Sequence, residues 1–94
     1  MSQPPAQVRI LKLADNISIK QDGKNYMLFG NLNGDIYKLN EVSYKILSLC
    51  DGKNTDKDII KNITNTFNAG REEAAKDFND LIQPLSARRY ISSI

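Results

Sequence analysis

Apolar and polar residues alternate at period two in three short stretches near the start of the chain. Residues 17–20 read ISIK, residues 26–32 read YMLFGNL and residues 35–39 read DIYKL. Period two puts every second side chain on one face of a strand, so each stretch predicts a half-buried strand. Asp22-Gly23 punctuates the first pair and Asn33-Gly34 the second. Asn-Gly is a strong hairpin signal, because both central residues of a type I′ turn take positive φ. A two-residue turn there sets a register in which Leu32 faces Asp35, Gly30 faces Tyr37 and Leu28 faces Leu39. Leu28, Tyr37 and Leu39 then share the core face, while Phe29, Ile36 and Lys38 turn away. A shorter alternation at Val8-Arg9-Ile10 reads as an extra strand or as a tail that docks. Residues 88–94, RRYISSI, read as a short final strand.

From Asn40 onward the spacing changes to that of a helix. Asn40 is a good N-cap and Glu41 suits the first turn. Val42, Ile46, Leu49 and Cys50 recur on one helical face, and Gly52 sits where a left-handed stop belongs. A second helix starts at Asn54 or Thr55, with Thr55 and Asp58 in the spacing of a capping box. Its apolar stripe is Ile59, Ile60, Ile63 and Phe67, and Asn68-Ala69-Gly70 breaks it. A third helix begins near Arg71, with Glu72 and Glu73 in its first turn and Ala74, Phe78, Leu81 and Leu85 as its core face. Pro84 is expected to kink or end it, because proline removes a hydrogen bond and crowds the preceding turn. The predicted fold class is α+β: a winged helix-turn-helix-like domain, with a three-stranded antiparallel sheet followed by three helices. Residues 1–12, with Pro4 and Pro5, read as a flexible lead-in, and residues 13–94 as the domain.

Composition narrows the picture by exclusion. The chain has 94 residues, 40% of them hydrophobic and 26% charged, which suits one modest globular core. A net charge of +2 is too balanced to point to nucleic acid. No apolar run approaches a membrane span, and the N-terminus lacks a basic-then-apolar signal pattern. The single cysteine, Cys50, forms no internal disulfide, which suits a reducing cytoplasm. With no histidine and one cysteine, the usual zinc ligand sets are missing, and the acids around Asp51, Asp56 and Asp58 do not match a calcium loop. No nucleophile–base pair or paired carboxylate appears, and the glycines sit at turns and not in a phosphate loop. The expectation is a protein that is not an enzyme and carries no cofactor or metal. Cys50 completes a helical apolar stripe and reads as a small core residue.

The ordered motifs resemble the PqqD family. The residues that carry the resemblance are Gly34, Tyr37, Leu39 and Asn40; Ile46, Leu47, Leu49, Asp51 and Gly52; Thr55, Asp58, Ile59, Ile60 and Phe67; and Asp77, Phe78, Leu81 and Ile82. They span residues 13–91. The resemblance implies a peptide-recognition domain without catalysis, of the kind that serves ribosomally made, post-translationally modified peptides. Such domains hold the leader segment of a precursor peptide and present it to a modifying enzyme. The implied partners are that leader and an enzyme such as a radical-SAM protein or a leader peptidase of the lasso-peptide kind. The leader is expected to lie along the third strand, in the groove between that strand and the third helix. Two departures stand out: Pro84 within the third helix, and Arg88-Arg89-Tyr90-Ile91 where the family often has a Gly-Leu-Ile/Val step.

The residues support the same placement physically. Asp35, Ile36, Tyr37, Lys38 and Leu39 form an edge strand if they pair only with residues 26–32, and an edge offers N–H and C=O groups to an extended peptide. On the third helix Arg71, Ala75, Phe78, Asn79 and Ile82 form a stripe beside the core stripe. Small Ala75 lets a peptide side chain approach; Asp77 and Asp80 attract a basic leader residue, and Lys38 or Arg71 an acidic one. Tyr37 either stacks on a leader aromatic or covers Gly30. The rival reading is a DNA-binding winged helix, with Lys53, Lys57, Lys61, Arg88 and Arg89 as a basic patch. It asks the third helix, which carries Glu72, Glu73, Asp77 and Asp80 against Arg71 and Lys76, to meet phosphates of the same sign.

Overall fold

The computed structural model describes residues 9–30 and 34–93. Along the chain these form β1 (Ile10–Leu13), β2 (Ile17–Asp22), β3 (Asn25–Gly30), β4 (Asp35–Leu39), α1 (Glu41–Ser48), β5 (Asp51–Thr55), α2 (Asp56–Phe67), α3 (Arg71–Ala87) and β6 (Ile91–Ser93). The three alternating stretches become an antiparallel sheet of order β2-β3-β4, as their period requires. A second antiparallel sheet, β5-β1-β6, gathers strands from three distant parts of the chain. The expected order of three strands followed by three helices is therefore incomplete. β5 separates α1 from α2, and β1 and β6 bracket the rest.

β1 starts at Ile10, so residues 10–12 belong to the folded unit and not to a lead-in. The remainder of the expected lead-in, residues 1–8, lies outside the described residues, as do Leu32 and Asn33 of the expected turn.

The β3–β4 register differs from the expected one by two residues. Gly30 pairs with Asp35, Leu28 with Tyr37 and Tyr26 with Leu39. Residues 31–34 thus separate the strands, a four-residue connection in place of a two-residue turn. Gly30 C=O accepts from Gly34 N–H at 2.8 Å, and Gly34 has φ 73, the left-handed conformation that closes such a loop. A slip of two residues preserves the faces. Leu28 is fully buried with Tyr37 and Leu39 packed beside the core, while Ile36 and Lys38 point outward. Gly30 lies opposite Asp35 and not opposite Tyr37.

The helix caps follow local rules. Asn40 Oδ1 accepts from Ser43 N–H at 2.7 Å at the start of α1. Thr55 and Asp58 form the reciprocal capping box of α2, with Thr55 N–H donating to Asp58 Oδ2 and Asp58 N–H to Thr55 Oγ1, each at 3.1 Å. Asn68, at φ 52, ends α2. Gly52, however, is not the stop of α1, which ends at Ser48 with Leu49 as its cap. Gly52 has φ 82 inside β5, where the pairs Ile10↔Thr55 and Lys12↔Asp51 leave β5 bulged against β1. Asp51 Oδ1 holds that bulge by accepting from Lys53 N–H at 2.9 Å and Asn54 N–H at 3.2 Å. The bond from Lys53 is the main reason the Asp51 carboxyl lies below its ordinary value.

Pro84 does not end α3, which continues to Ala87. Pro84 and Asp80, whose C=O loses its helical partner, are both exposed to water, so the lost bond is tolerated. One core joins both sheets and all three helices. Leu11, Leu28, Ile46, Leu47, Ile59, Ile63 and Phe78 are its largest fully buried side chains.

Candidate functional site

β4 is the edge of its sheet: it pairs with β3 on one side and with no strand on the other among the described residues. Its five residues alternate strictly, with Asp35, Tyr37 and Leu39 half-buried and Ile36 and Lys38 exposed. Ile36 is 63% exposed, the one large hydrophobic residue left so open among the described residues.

The end of α3 is built to reach this edge. Arg88 caps the helix, Arg89 takes a left-handed φ of 63, and Tyr90 N–H returns to Leu85 C=O at 2.9 Å while Arg89 N–H returns to Ser86 C=O at 3.0 Å. These two bonds form a Schellman turn, whose left-handed position normally holds glycine. The Arg88-Arg89-Tyr90-Ile91 departure is thereby explained: Arg89 occupies the left-handed position itself. The turn swings Arg88 and Tyr90 onto the start of β4. Arg88 Nη1 donates to Tyr37 Oη, and its guanidinium lies 5.4 Å from the Tyr37 ring centroid. The Tyr37 and Tyr90 rings meet at 6.4 Å, and Tyr90 Oη donates to Asp35 Oδ2 at 3.1 Å.

At the other end of β4 the chain turns directly into α1. There Asn40, Val42 and Ser43 share a groove of about 300 Å³ with Asp77, Asp80 and Leu81 of α3. α3 thus meets β4 through Arg88 at its end, and meets the start of α1 through Asp77, Asp80 and Leu81. Lys76 Nζ sits 3.1 Å from Asp80 Oδ2, and that hydrogen bond holds the Lys76 ammonium above its ordinary value.

The candidate residues divide between two places. Asp35, Ile36, Tyr37, Lys38 and Leu39 lie on the open edge. Arg71, Ala75, Phe78 and Asn79 line a different groove, of about 690 Å³, between α3 and α2. Phe78 and Ile82 are buried, at 1% and 3% exposure, and serve the core. That groove is lined by α2 and α3 residues, with none from β4. The residues the structure does bring to the edge, Arg88 and Tyr90, were not among the expected leader-binding residues. Their signal, the turn after α3, is visible only once Arg89 is known to be left-handed.

Cys50 is 2% exposed and its Sγ donates to Ile46 C=O at 3.4 Å. Burial, aided by the Asp51 charge, pushes its thiol up to about 12, so it is no thiolate near neutral pH. Among the described residues no group of three or more acids, histidines or cysteines is placed to hold a metal ion. Among the described residues no helix is long and apolar enough to cross a membrane.

Fold and site together define a class: a small α+β domain with an open strand edge met by the end of a long helix. Residues 22–91 match the family model for coenzyme PQQ synthesis protein D (PqqD), and the chain belongs to that family. No curated protein sequence matches it. Among solved structures it is similar to TbiB1 in complex with the TbiA(beta) leader peptide, at TM-score 0.74 and 18% identity over 86% of this chain and 94% of that one. It is equally similar to a lasso peptide synthetase B1 complexed with the leader peptide, at TM-score 0.74 and 19% identity over 88% and 98%. The PqqD truncation of Methylobacterium extorquens PqqCD, a functional and stand-alone recognition element for ribosomally synthesised, modified peptides, gives TM-score 0.72 and 18% identity over 97% and 95%. These likenesses establish the fold.

Proposed function

We propose that this domain binds the leader segment of a ribosomally made precursor peptide and presents it to a modifying enzyme or leader peptidase. The observation that carries the reading is β4: a regular edge strand, open on one side among the described residues, with Arg88 from the end of α3 seated on its Tyr37. An extended leader adds to this edge, with main-chain hydrogen bonds giving general affinity and alternate side chains giving selectivity. One set of leader side chains falls beside Ile36 and Lys38. The other falls on the side of Tyr37 and Arg88. Family membership and the leader peptides bound to two structures of the same fold support the reading. In this picture Phe78 and Ile82 hold α3 in place from below. Arg71, Ala75 and Asn79 stand on the far side of α3 from the leader.

No reacting group is implied, so the domain contributes binding alone. The leader loses chain entropy on docking, which keeps affinity moderate. Tethering then raises the concentration of the core peptide at the partner enzyme. The partner is an enzyme of the radical-SAM kind or a lasso-type leader peptidase, and a reducing cytoplasm suits the buried thiol. At the finer level, α2 and α3, joined through residues 68–70, are read as a helix-turn-helix and the β2-β3-β4 sheet as its wing. That geometry does not make α3 a DNA reader, because Glu72, Glu73, Asp77 and Asp80 leave its outer surface acidic.

The test is titration of the isotope-labelled domain with the leader from a neighbouring short open reading frame. Amide shifts are expected in β4 and in residues 77–90. Saturable binding to duplex DNA, with no response to the leader, overturns the reading.

A further inference from the structure

The α2–α3 groove has a chemistry of its own. Ile60, Ala75 and the edge of Phe78 give it an apolar floor. Its two carboxylates are already engaged within the fold. Asp58 is held in the capping box with Thr55, while Asp56 accepts from Lys57 N–H at 2.8 Å and sits 3.9 Å from Arg9 Nε. The cations at its rim are not so engaged. Lys57, Lys61 and Arg71 are all exposed, and among the described residues none of them has a carboxylate within ion-pair distance. An apolar floor beneath three unpaired cations complements a segment that carries carboxylates along one side and apolar residues along the other.

We propose that this groove is a second docking surface, which takes an acidic amphipathic segment of a partner protein. It lies on the opposite side of α3 from β4, so a leader on β4 and a partner segment on α2–α3 are held at the same time. The inference does not depend on leader binding, since either surface can fail without the other.

The experiment uses the labelled full chain and a short synthetic peptide of Glu and Leu arranged amphipathically, with its Gln-for-Glu version as control. The acidic peptide is expected to shift amides of α2 and the first half of α3 saturably, and to bind about tenfold tighter than the control, as a few exposed ion pairs allow. Added salt weakens it. The double variant Lys57→Glu/Lys61→Glu abolishes binding, and Ala75→Leu, which fills the floor without changing charge, weakens it; unchanged amide spectra elsewhere show that both remain folded. Equal binding of the Gln control, no saturable shifts in these helices, or displacement of the acidic peptide by a β4-bound leader each overturns the proposal. So does the same set of shifts appearing with protein concentration alone, which would assign the groove to a second copy of this chain.

Discussion

The two sheets treat their edges in opposite ways. In β5-β1-β6, one edge strand has three residues and the other is bulged around Gly52 and pinned by Asp51. Short and bulged edges resist pairing with another chain. In β2-β3-β4, β2 ends in exposed Lys20, Gln21 and Asp22, which blunts that side. β4 alone is regular, strictly alternating and tipped with an exposed isoleucine. Of the four sheet edges, β4 is thus the one left without a feature that discourages pairing.

The largest effects test whether the two sheets are one unit. Leu11 under β1 and Leu28 under β3 are both buried in the shared core. Leu11→Ala and Leu28→Ala are each expected to cost about 2–5 kcal/mol, because a cavity adds to the lost transfer energy. Urea unfolding should keep a single transition in both; a second transition in Leu11→Ala alone would mean the closed sheet is a separate unit.

The next effect lies where the closed sheet is tied to α1, since Cys50 C=O accepts from Leu13 N–H at 3.0 Å. The folded thiol is pushed up to about 12 from an ordinary 9.0. The unfolded chain therefore releases this proton first as pH rises. Stability from this group is full below pH 9 and is lost as pH climbs from 9 toward 12. Denaturation across that window should show a shallower decline in Cys50→Ala than in the parent.

A smaller effect, of opposite sign, tests the turn that serves the open edge. Arg89 holds a left-handed φ that costs a non-glycine residue about 1 kcal/mol, so Arg89→Gly is expected to raise stability by about that much. Leader affinity should be unchanged, because Arg88 and Tyr90, not Arg89, meet β4. A loss of affinity would show that the Arg89 side chain takes part.

The smallest stability effect belongs to Ile36. Ile36→Ser should move stability by less than about 0.5 kcal/mol, since the side chain is mostly in water. Leader affinity, measured by the same titration, should fall several-fold. Stability and affinity that both stay unchanged would remove Ile36 from the docking edge.

The legible parts of the sequence were the local ones. Asn40, Thr55 with Asp58, and Asn68 announced their caps because each acts on backbone within a few residues. The alternation of residues 17–20, 26–32 and 35–39 announced three strands and their faces, and the faces survived a slip of two residues because the side-chain period is two. The bulged strand Asp51–Thr55 was not legible. Its sequence, DGKNT, has no alternation, and it is a strand only because β1 lies beside it. The site was half legible for the same reason. Residues 35–39 could be read as an edge from their own pattern. Which face of α3 meets that edge depends on how the helix is rotated against α2, a matter of packing between distant residues. The sequence pattern by itself thus determined the three helices, the three alternating strands and their faces. Tertiary structure alone decided that the end of α3 seats Arg88 on Tyr37 while Arg71, Ala75 and Asn79 line the groove against α2, because core burial of Phe78 and Ile82 fixes the rotation of the helix.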